Sequence, residues 1–515
     1  MDTEIELKFF IAPFTDKNNH QVIQAIDTLL EQSAKQLQKS TKRLVNTYFD
    51  TPQQALRQLD FGLRVRTVDG QSEQTIKTAG TVVGGLHKRP EYNVDIDTQR
   101  PDLSLFPSKI WPELISPYDL QQEIKPLFTT DFTRTKWELI FADTQLELVL
   151  DLGAVEANDD KQDIREIEIE LIDGDVRAIF ELANLLTEQL HLRLSNDSKA
   201  ARGYRLFHGK KLANHAELKA VKVERDISIE QAFINTVQHG LSYWQYHEEV
   251  YLSSHKVSSL RNMAQGINLI QHTLKLYQNL IPAKASQSID NELAWLSQEF
   301  AWVDEACACH QLASAKGTFK KRLSNQSKVT EEFSERKKQI VEQHNPIALF
   351  YSERYSRLII NLVKWLYEKA WRCYADIDEA QLNAYLLSVA DQFQQESWSE
   401  LKQAMPRKQE FSADNYIDAK DSLNHGLLTG ICVGGLYPDD EWRSFRGPWL
   451  DIMQGINDLY TFEILQSHLM SHNNEMDLDG RAELLDWSAN KKSSLISVME
   501  QSRRSALKVI PYWQY

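Results

Sequence analysis

The chain has 515 residues, more than one compact core accommodates, so two or three domains are expected. A formal charge of −15, from 73 acidic and 58 basic residues, argues against a general nucleic-acid binder, which needs a basic surface. No run of about 18 apolar residues is present for a transmembrane helix, the charged opening does not read as a signal peptide, and four cysteines are too few for a disulfide framework, so a reducing, cytoplasmic setting without membrane contact is expected.

To about residue 208 the chain reads mostly as strands. In Glu4-Ile5-Glu6-Leu7-Lys8 the three charged residues share one face and the two aliphatics the other. Val22, Ile26, Leu29 and Leu30 recur at helical spacing and predict a helix over 21–32. Residues 44–50 read as a strand, and Pro52 suits the opening of a short helix. Arg64 and Arg66 share a face opposed by Leu63 and Val65, Asp69-Gly70 is a hairpin signal, and Lys77 follows opposite Ile76. After a turn at Gly84-Gly85, Arg89, Glu91 and Asn93 alternate with Tyr92 and Val94. Over 133–141, Arg134, Lys136 and Glu138 oppose Trp137, Leu139 and Phe141. Glu147, Val149 and Asp151 then oppose Leu146, Leu148 and Leu150, and Glu166, Glu168 and Glu170 oppose Ile167, Ile169 and Leu171. A helix is expected over about 175–190, and Ser198 to Tyr204 follow.

One strand with a charged face is ordinary, since antiparallel sheets commonly keep one face wet. Here both signs of charge return on at least seven strands, enough to close a sheet and turn that face into a lumen. A lumen of many cations and anions is costly unless the charges pair or meet a ligand. A polyanion with a divalent metal satisfies both, cations on phosphates and carboxylates on metal. No Ser, Cys or His nucleophile is expected on these faces. Gly84-Gly85 is not followed by the Gly-Lys-Ser/Thr of a Walker-type phosphate loop.

Glu4 to Lys8, Tyr48-Phe49-Asp50-Thr51, the 63–66 strand, Thr75-Ile76-Lys77, Arg89-Pro90-Glu91-Tyr92, Leu150-Asp151 and the ladder from Glu166 to Glu170 stand in the order of the CYTH superfamily. Residues 1 to about 208 resemble that family, the triphosphate tunnel metalloenzymes. Ser198-Lys199-Ala200-Ala201-Arg202-Gly203-Tyr204 further resembles bacterial two-domain inorganic triphosphatases that carry a C-terminal CHAD domain. The resemblance implies an α+β fold, an eight-stranded antiparallel tunnel with flanking helices followed by an all-α domain. It implies that Lys8, Arg64, Arg66, Lys77, Arg89 and Arg134 bind phosphate oxygens, with Lys136 an alternative to Arg134. Glu4, Glu6 and members of the set Glu166, Glu168 and Glu170 would bind one or two Mg2+ or Mn2+ ions, with Asp151 nearby. Lys199 would close the site from its helix, and Glu91 would orient Arg89. The implied activity is metal-dependent hydrolysis of inorganic triphosphate to diphosphate and phosphate. The alternatives are an adenylyl cyclase, a thiamine or nucleoside triphosphatase, or a polyphosphate-binding module with an inactive tunnel.

Residues 209–224 read as a polar linker, and 225–515 as all-α. Ser228 with Gln231 suits a capping box. Helices are expected over 260–279, 291–309, 330–342, 352–374, 379–405 and 460–472, with Pro282, Pro346 and Pro406 at breaks. Cys307, Cys309 and His310 lack a second ligand pair at zinc spacing and are expected to be helix residues, the cysteines small and buried. This part resembles a CHAD domain, which implies paired helical bundles that bind polyphosphate through histidines and basic residues. His255, Arg261 and Gln454-Gly455-Ile456-Asn457-Asp458 carry the resemblance. Ser258, Asn262 and Met263 stand where arginine is usual, and His425 is followed by Gly-Leu-Leu-Thr-Gly-Ile rather than a basic ladder, so a retained fold with a degraded binding face is weighed equally. Lys316 to Arg322 and Arg336-Lys337-Lys338 read as solvated helix ends.

Overall fold

The computed structural model describes residues 2–13, 18–68, 70–213, 217–314, 317–323, 326–374, 377–471 and 478–514. Asp69 of the expected hairpin, Lys316 of the basic cluster and His472 of the last expected helix lie outside them. The chain divides into two compact units, Met1–Leu212 together with Ile347–Glu368, and Ala213–Pro346 together with Lys369–Tyr515.

Among the described residues the first unit is built on ten strands: β1 Asp2–Ile11, β2 Lys35–Asp50, β3 Gly62–Val68, β4 Gln71–Lys77, β5 Thr81–Val83, β6 Leu86–Ile96, β7 Lys125–Phe141, β8 Thr144–Ala157, β9 Asp160–Asp173 and β10 Leu192–Leu194. Eight of them close an antiparallel ring in the order β1-β9-β8-β7-β2-β3-β4-β6, sealed by pairing of β1 with β6. β10 pairs beside β1, and β5 beside β6. The alternation described above sorts the two faces of the ring. Leu7, Phe9, Leu146, Leu148, Leu150, Ile167 and Ile169 are wholly buried on the outer face. The helix Arg177–Gln189 packs on β1 and β9 and the helix Asn19–Ser33 on β2. On the other side Leu63, Val65 and Ile76 pack with Leu103, Phe106, Trp111 and Ile124 from the segment between β6 and β7.

β2 begins well before the expected residue 44. Its first nine residues are almost all exposed and carry no apolar alternation, so backbone pairing to β7 and polar partners hold them, such as Arg43 on Asp131 at 2.8 Å. Asp50 is buried and ties β2 to its surroundings, accepting from the amides of Thr51, Leu56 and Arg57 and from the Tyr204 hydroxyl at 2.7 Å. The helix Glu353–Tyr367 lies against the helix Arg177–Gln189 and β10, with the Ser356 hydroxyl donating to the Leu192 carbonyl. The expected all-α run 225–515 is therefore interrupted by a segment that groups with the tunnel.

The second unit is helical, including Ile229–Ser254, Val257–Leu276, Ala283–Glu299, Val303–Ala313, Ser327–His344, Leu387–Ala404, Lys420–Val433, Asp439–Met470 and Leu478–Ala506. Three expectations are corrected. The expected 291–309 helix breaks at 300–302, and 379–405 is a four-residue turn of helix followed by Leu387–Ala404. The expected 460–472 helix is the end of a 32-residue helix that tolerates Pro448 within it. Leu478–Ala506 is too polar to show a helical stripe, yet it contributes Leu484, Met499 and Ala506 to two cores. Half of the expected capping box forms: the Ser228 side chain accepts from the Gln231 amide, while the Gln231 side chain donates to Asn235. Cys307 and Cys309 are free and buried. No helix among the described residues is long and apolar enough to cross a membrane.

Candidate active site

Directly opposed residues of antiparallel strands share a face, so the register arranges the lumen in rows. One row runs Glu138, Glu147, Glu170, Glu6 and His87 across β7, β8, β9, β1 and β6. The next runs Lys136, Val149, Glu168 and Lys8, and the third Arg134, Asp151, Glu166 and Phe10. On the far side Glu4 opposes Arg89, Lys77 opposes Glu91, Arg64 opposes Thr75 and Tyr48, and Arg66 opposes Asn46. Within lies a cavity of about 610 Å³.

Of the predicted residues, Glu4, Glu6, Lys8, Arg64, Arg66, Lys77, Arg89, Glu91, Arg134, Glu168, Glu170 and Lys199 line this cavity. Asp151 and Glu166 do not: they are wholly buried behind it. Lys136 does not line it either, because its ammonium bridges Glu138 at 2.7 Å and Glu147 at 3.2 Å. Glu91 pairs with Lys77 at 3.2 Å and Arg64 at 3.5 Å rather than orienting Arg89, whose carboxylate partner is Asp60 at 3.1 Å. Cross-strand neighbours and a turn residue supply these partners, and both depend on register and closure.

One wall is rich in positive charge. Lys199 is the first residue of the helix Lys199–Phe207, whose Ser198 cap accepts from the Ala201 amide. Its ammonium meets Asp151 at 2.7 Å, Glu168 at 3.0 Å and Glu166. Arg134 grips Asp151 with two bonds of 2.7 and 2.6 Å and reaches Glu168 at 3.0 Å. Lys8 lies 2.8 Å from Glu168, and Arg202 donates to Glu166. Four cations thus face three carboxylates. Burial opposes ionisation of Glu168 and Asp151, yet the facing cations hold both carboxyls below the usual range. The helix approaches β7 closely because residue 203 is glycine: a Cβ there would lie 2.0 Å from the Phe128 ring.

The opposite balance holds elsewhere in the cavity. Glu4 has Lys77, which it shares with Glu91, and Glu170 has no ion-pair partner among the described residues. Burial, then Glu4 and Glu6, push Glu170 up to about 8. Burial, then Glu6, push Glu4 up to about 7. Arg66 has no carboxylate within ion-pair distance among the described residues and donates to Asn46 Oδ1 at 2.8 Å. The neighbouring charge of Arg64, then burial, bring it down to about 9. The cavity therefore holds carboxylates short of positive charge and a guanidinium short of negative charge. The oxygens of Asp151, Glu166 and Glu168 also lie within 4.8 Å of one another, close enough to hold a metal ion.

Glu147, His87 and Arg202 belong to this constellation and were missed. His87 has the strand parity of Arg89 and Glu91, and Arg202 is one helical turn from Lys199, so parity and helical spacing carried the signal. His87 also corrects the expectation of charged faces without histidine.

A closed eight-stranded antiparallel barrel with both signs of charge in its lumen defines a β-tunnel protein with an appended helical domain. Residues 2–204 are a CYTH domain and residues 235–469 a CHAD domain. The chain is 35% identical over 208 residues to a protein named inorganic triphosphatase from Haemophilus influenzae, covering 39% of this chain and 54% of that relative. The match thus spans about half the length of that relative. Among solved structures, the CHAD domain of the plant Ricinus communis matches at 17% identity, covering 58% of this chain and 97% of that one with a TM-score of 0.44. The PH1012 protein of Pyrococcus horikoshii matches at 19% identity, covering 36% of this chain and 93% of that one with a TM-score of 0.24.

Proposed function

We propose that the tunnel is a metal-dependent inorganic triphosphatase, hydrolysing triphosphate to diphosphate and phosphate. One observation carries this reading: a single cavity of about 610 Å³ contains Glu4 and Glu170, short of positive charge, together with Arg66, short of negative charge. The CYTH domain and the relative named inorganic triphosphatase support the same substrate.

The donor set fits Mg2+ or Mn2+, hard cations that take carboxylate oxygens. Glu4, Glu6 and Glu170 are the ligands we assign, with Glu168 beside them. Asp151 and Glu166 are already neutralised by Lys199, Arg134 and Arg202, so an ion between them would have to displace an ammonium. A divalent ion in this site supplies Lewis-acid neutralisation of phosphoryl charge. The protein's own cations do the rest. Arg64, Arg66 and Arg89 offer forked donors to phosphate oxygens, and Lys8 and Lys77 act as compact charges. Lys199 and Arg134 are held by carboxylates, so their charge is in place before substrate arrives. Preorganised charge in a site screened from bulk water is what phosphoryl transfer chiefly requires.

We read the helical domain as accessory. Arg261 and Lys420 both pair with Asp304, at 3.0 and 2.7 Å, and His425 meets Glu400 at 3.2 Å, so these groups are committed within the domain rather than gathered for polyphosphate. The test is phosphate release from inorganic triphosphate, ATP, thiamine triphosphate and long-chain polyphosphate, with and without Mg2+ or Mn2+. Metal-dependent preference for inorganic triphosphate is expected. No hydrolysis alongside tight polyphosphate binding would make the protein a binding module instead.

A further inference from the structure

We propose that His87 supplies an imidazole nitrogen to the tunnel's divalent ion, so that the site is a mixed nitrogen and oxygen site rather than an all-carboxylate one. This rests on the metal-dependent reading above. His87 lies on β6 directly opposite Glu6 of β1, and its ring lines the cavity. Residues opposed across antiparallel strands have Cβ atoms about 4.5–5.5 Å apart, so both side chains can reach one ion. Glu170 continues the same row on the far side of Glu6.

Nε2 of the His87 ring is buried without a hydrogen-bond partner. A buried acceptor is seldom left unsatisfied, and a cation held by Glu6 and Glu170 satisfies it. Imidazole suits first-row transition ions better than Mg2+, so His87 biases the site toward the former.

The test is pulsed EPR on the Mn2+-loaded full-length protein, prepared with natural-abundance and with ¹⁵N-labelled histidine, together with Mn2+ and Mg2+ affinities of wild type, His87→Phe and His87→Gln. A nitrogen coupling that changes isotope with the labelled histidine and disappears in either variant is expected. Mn2+ affinity should fall about tenfold or more while that for Mg2+ falls less. The labelled wild type answers even where His87→Phe does not fold. Mn2+ bound with no histidine coupling would overturn the ligand and leave the triphosphatase reading standing. A histidine coupling that persists in His87→Gln would assign the nitrogen to another residue and overturn it too. No Mn2+ binding by wild type would overturn both, and the phosphate-release assay would then fail independently.

Discussion

Arg202 and Glu166 form a pair that is almost inaccessible to solvent, 2% and 0% exposed, and their chemistry is felt through Lys199. Arg202→Met leaves Glu166 with Lys199 as its remaining cation. Breaking a buried pair from one side typically costs about 3–5 kcal/mol. A loss of that size is expected in denaturant unfolding, together with a fall in kcat larger than the change in KM, because Lys199 is drawn from Glu168 and Asp151. Unchanged unfolding would remove Arg202 from this role. The raised carboxyls make a second prediction. A carboxyl whose folded value exceeds its unfolded one of 4.5 binds its proton more tightly when folded. Its contribution to stability is full below about 4.5 and is lost as pH rises through about 7 for Glu4 and about 8 for Glu170. Metal-free protein should therefore lose Tm between pH 5 and 8 as these groups ionise, and divalent metal should restore it most at the upper end. Glu170→Gln should flatten the metal-free profile; an identical slope in that variant would show that Glu170 is not the group responsible.

At the level of elements, register does what composition cannot. Alternation already told which residues of β1, β3, β7, β8 and β9 share a face, because strand side chains have a period of two. It did not tell that Glu91 lies against Lys77 and Arg64, or that Asp60 answers Arg89, since those partners come from neighbouring strands and a turn. It also overlooked the first half of β2, whose polar residues form a strand only because β7 pairs with them. The helix Lys199–Phe207 illustrates positioning by packing. Gly203→Ala would press a methyl into Phe128, and overpacking of this kind costs about 1–3 kcal/mol. The helix must then move from β7 and carry Lys199 with it. Activity should fall by more than the unfolded fraction accounts for, measured at a temperature where the variant is folded. Full specific activity of the folded variant would show that Lys199 tolerates the shift.

On the scale of the whole molecule, the helix Glu353–Tyr367 joins the tunnel's own unit although more than a hundred residues separate it from Leu212. Ser356 bonds β10, and Ile360, one turn later on the same face, is wholly buried. Lys364 and Arg357 add ion pairs to Glu181 and Glu188 at 3.5 and 3.2 Å. A fragment of residues 1–212 should therefore unfold at lower temperature and aggregate more readily than the full chain, followed by light scattering during melting. Ile360→Ala in the full chain should destabilise this unit by about 2–5 kcal/mol. A fragment that melts with the intact protein would show that the helix is dispensable to the tunnel. Alternation by itself determines which residues of each strand share the charged face and which the apolar one, because strand side chains have a period of two and a run of few residues carries the pattern. Only the tertiary structure decided which carboxylates are neutralised, which histidine nitrogen is left free and which helix covers β10. Those outcomes depend on groups far apart in the chain, brought together by closure of the ring, and no local pattern encodes them.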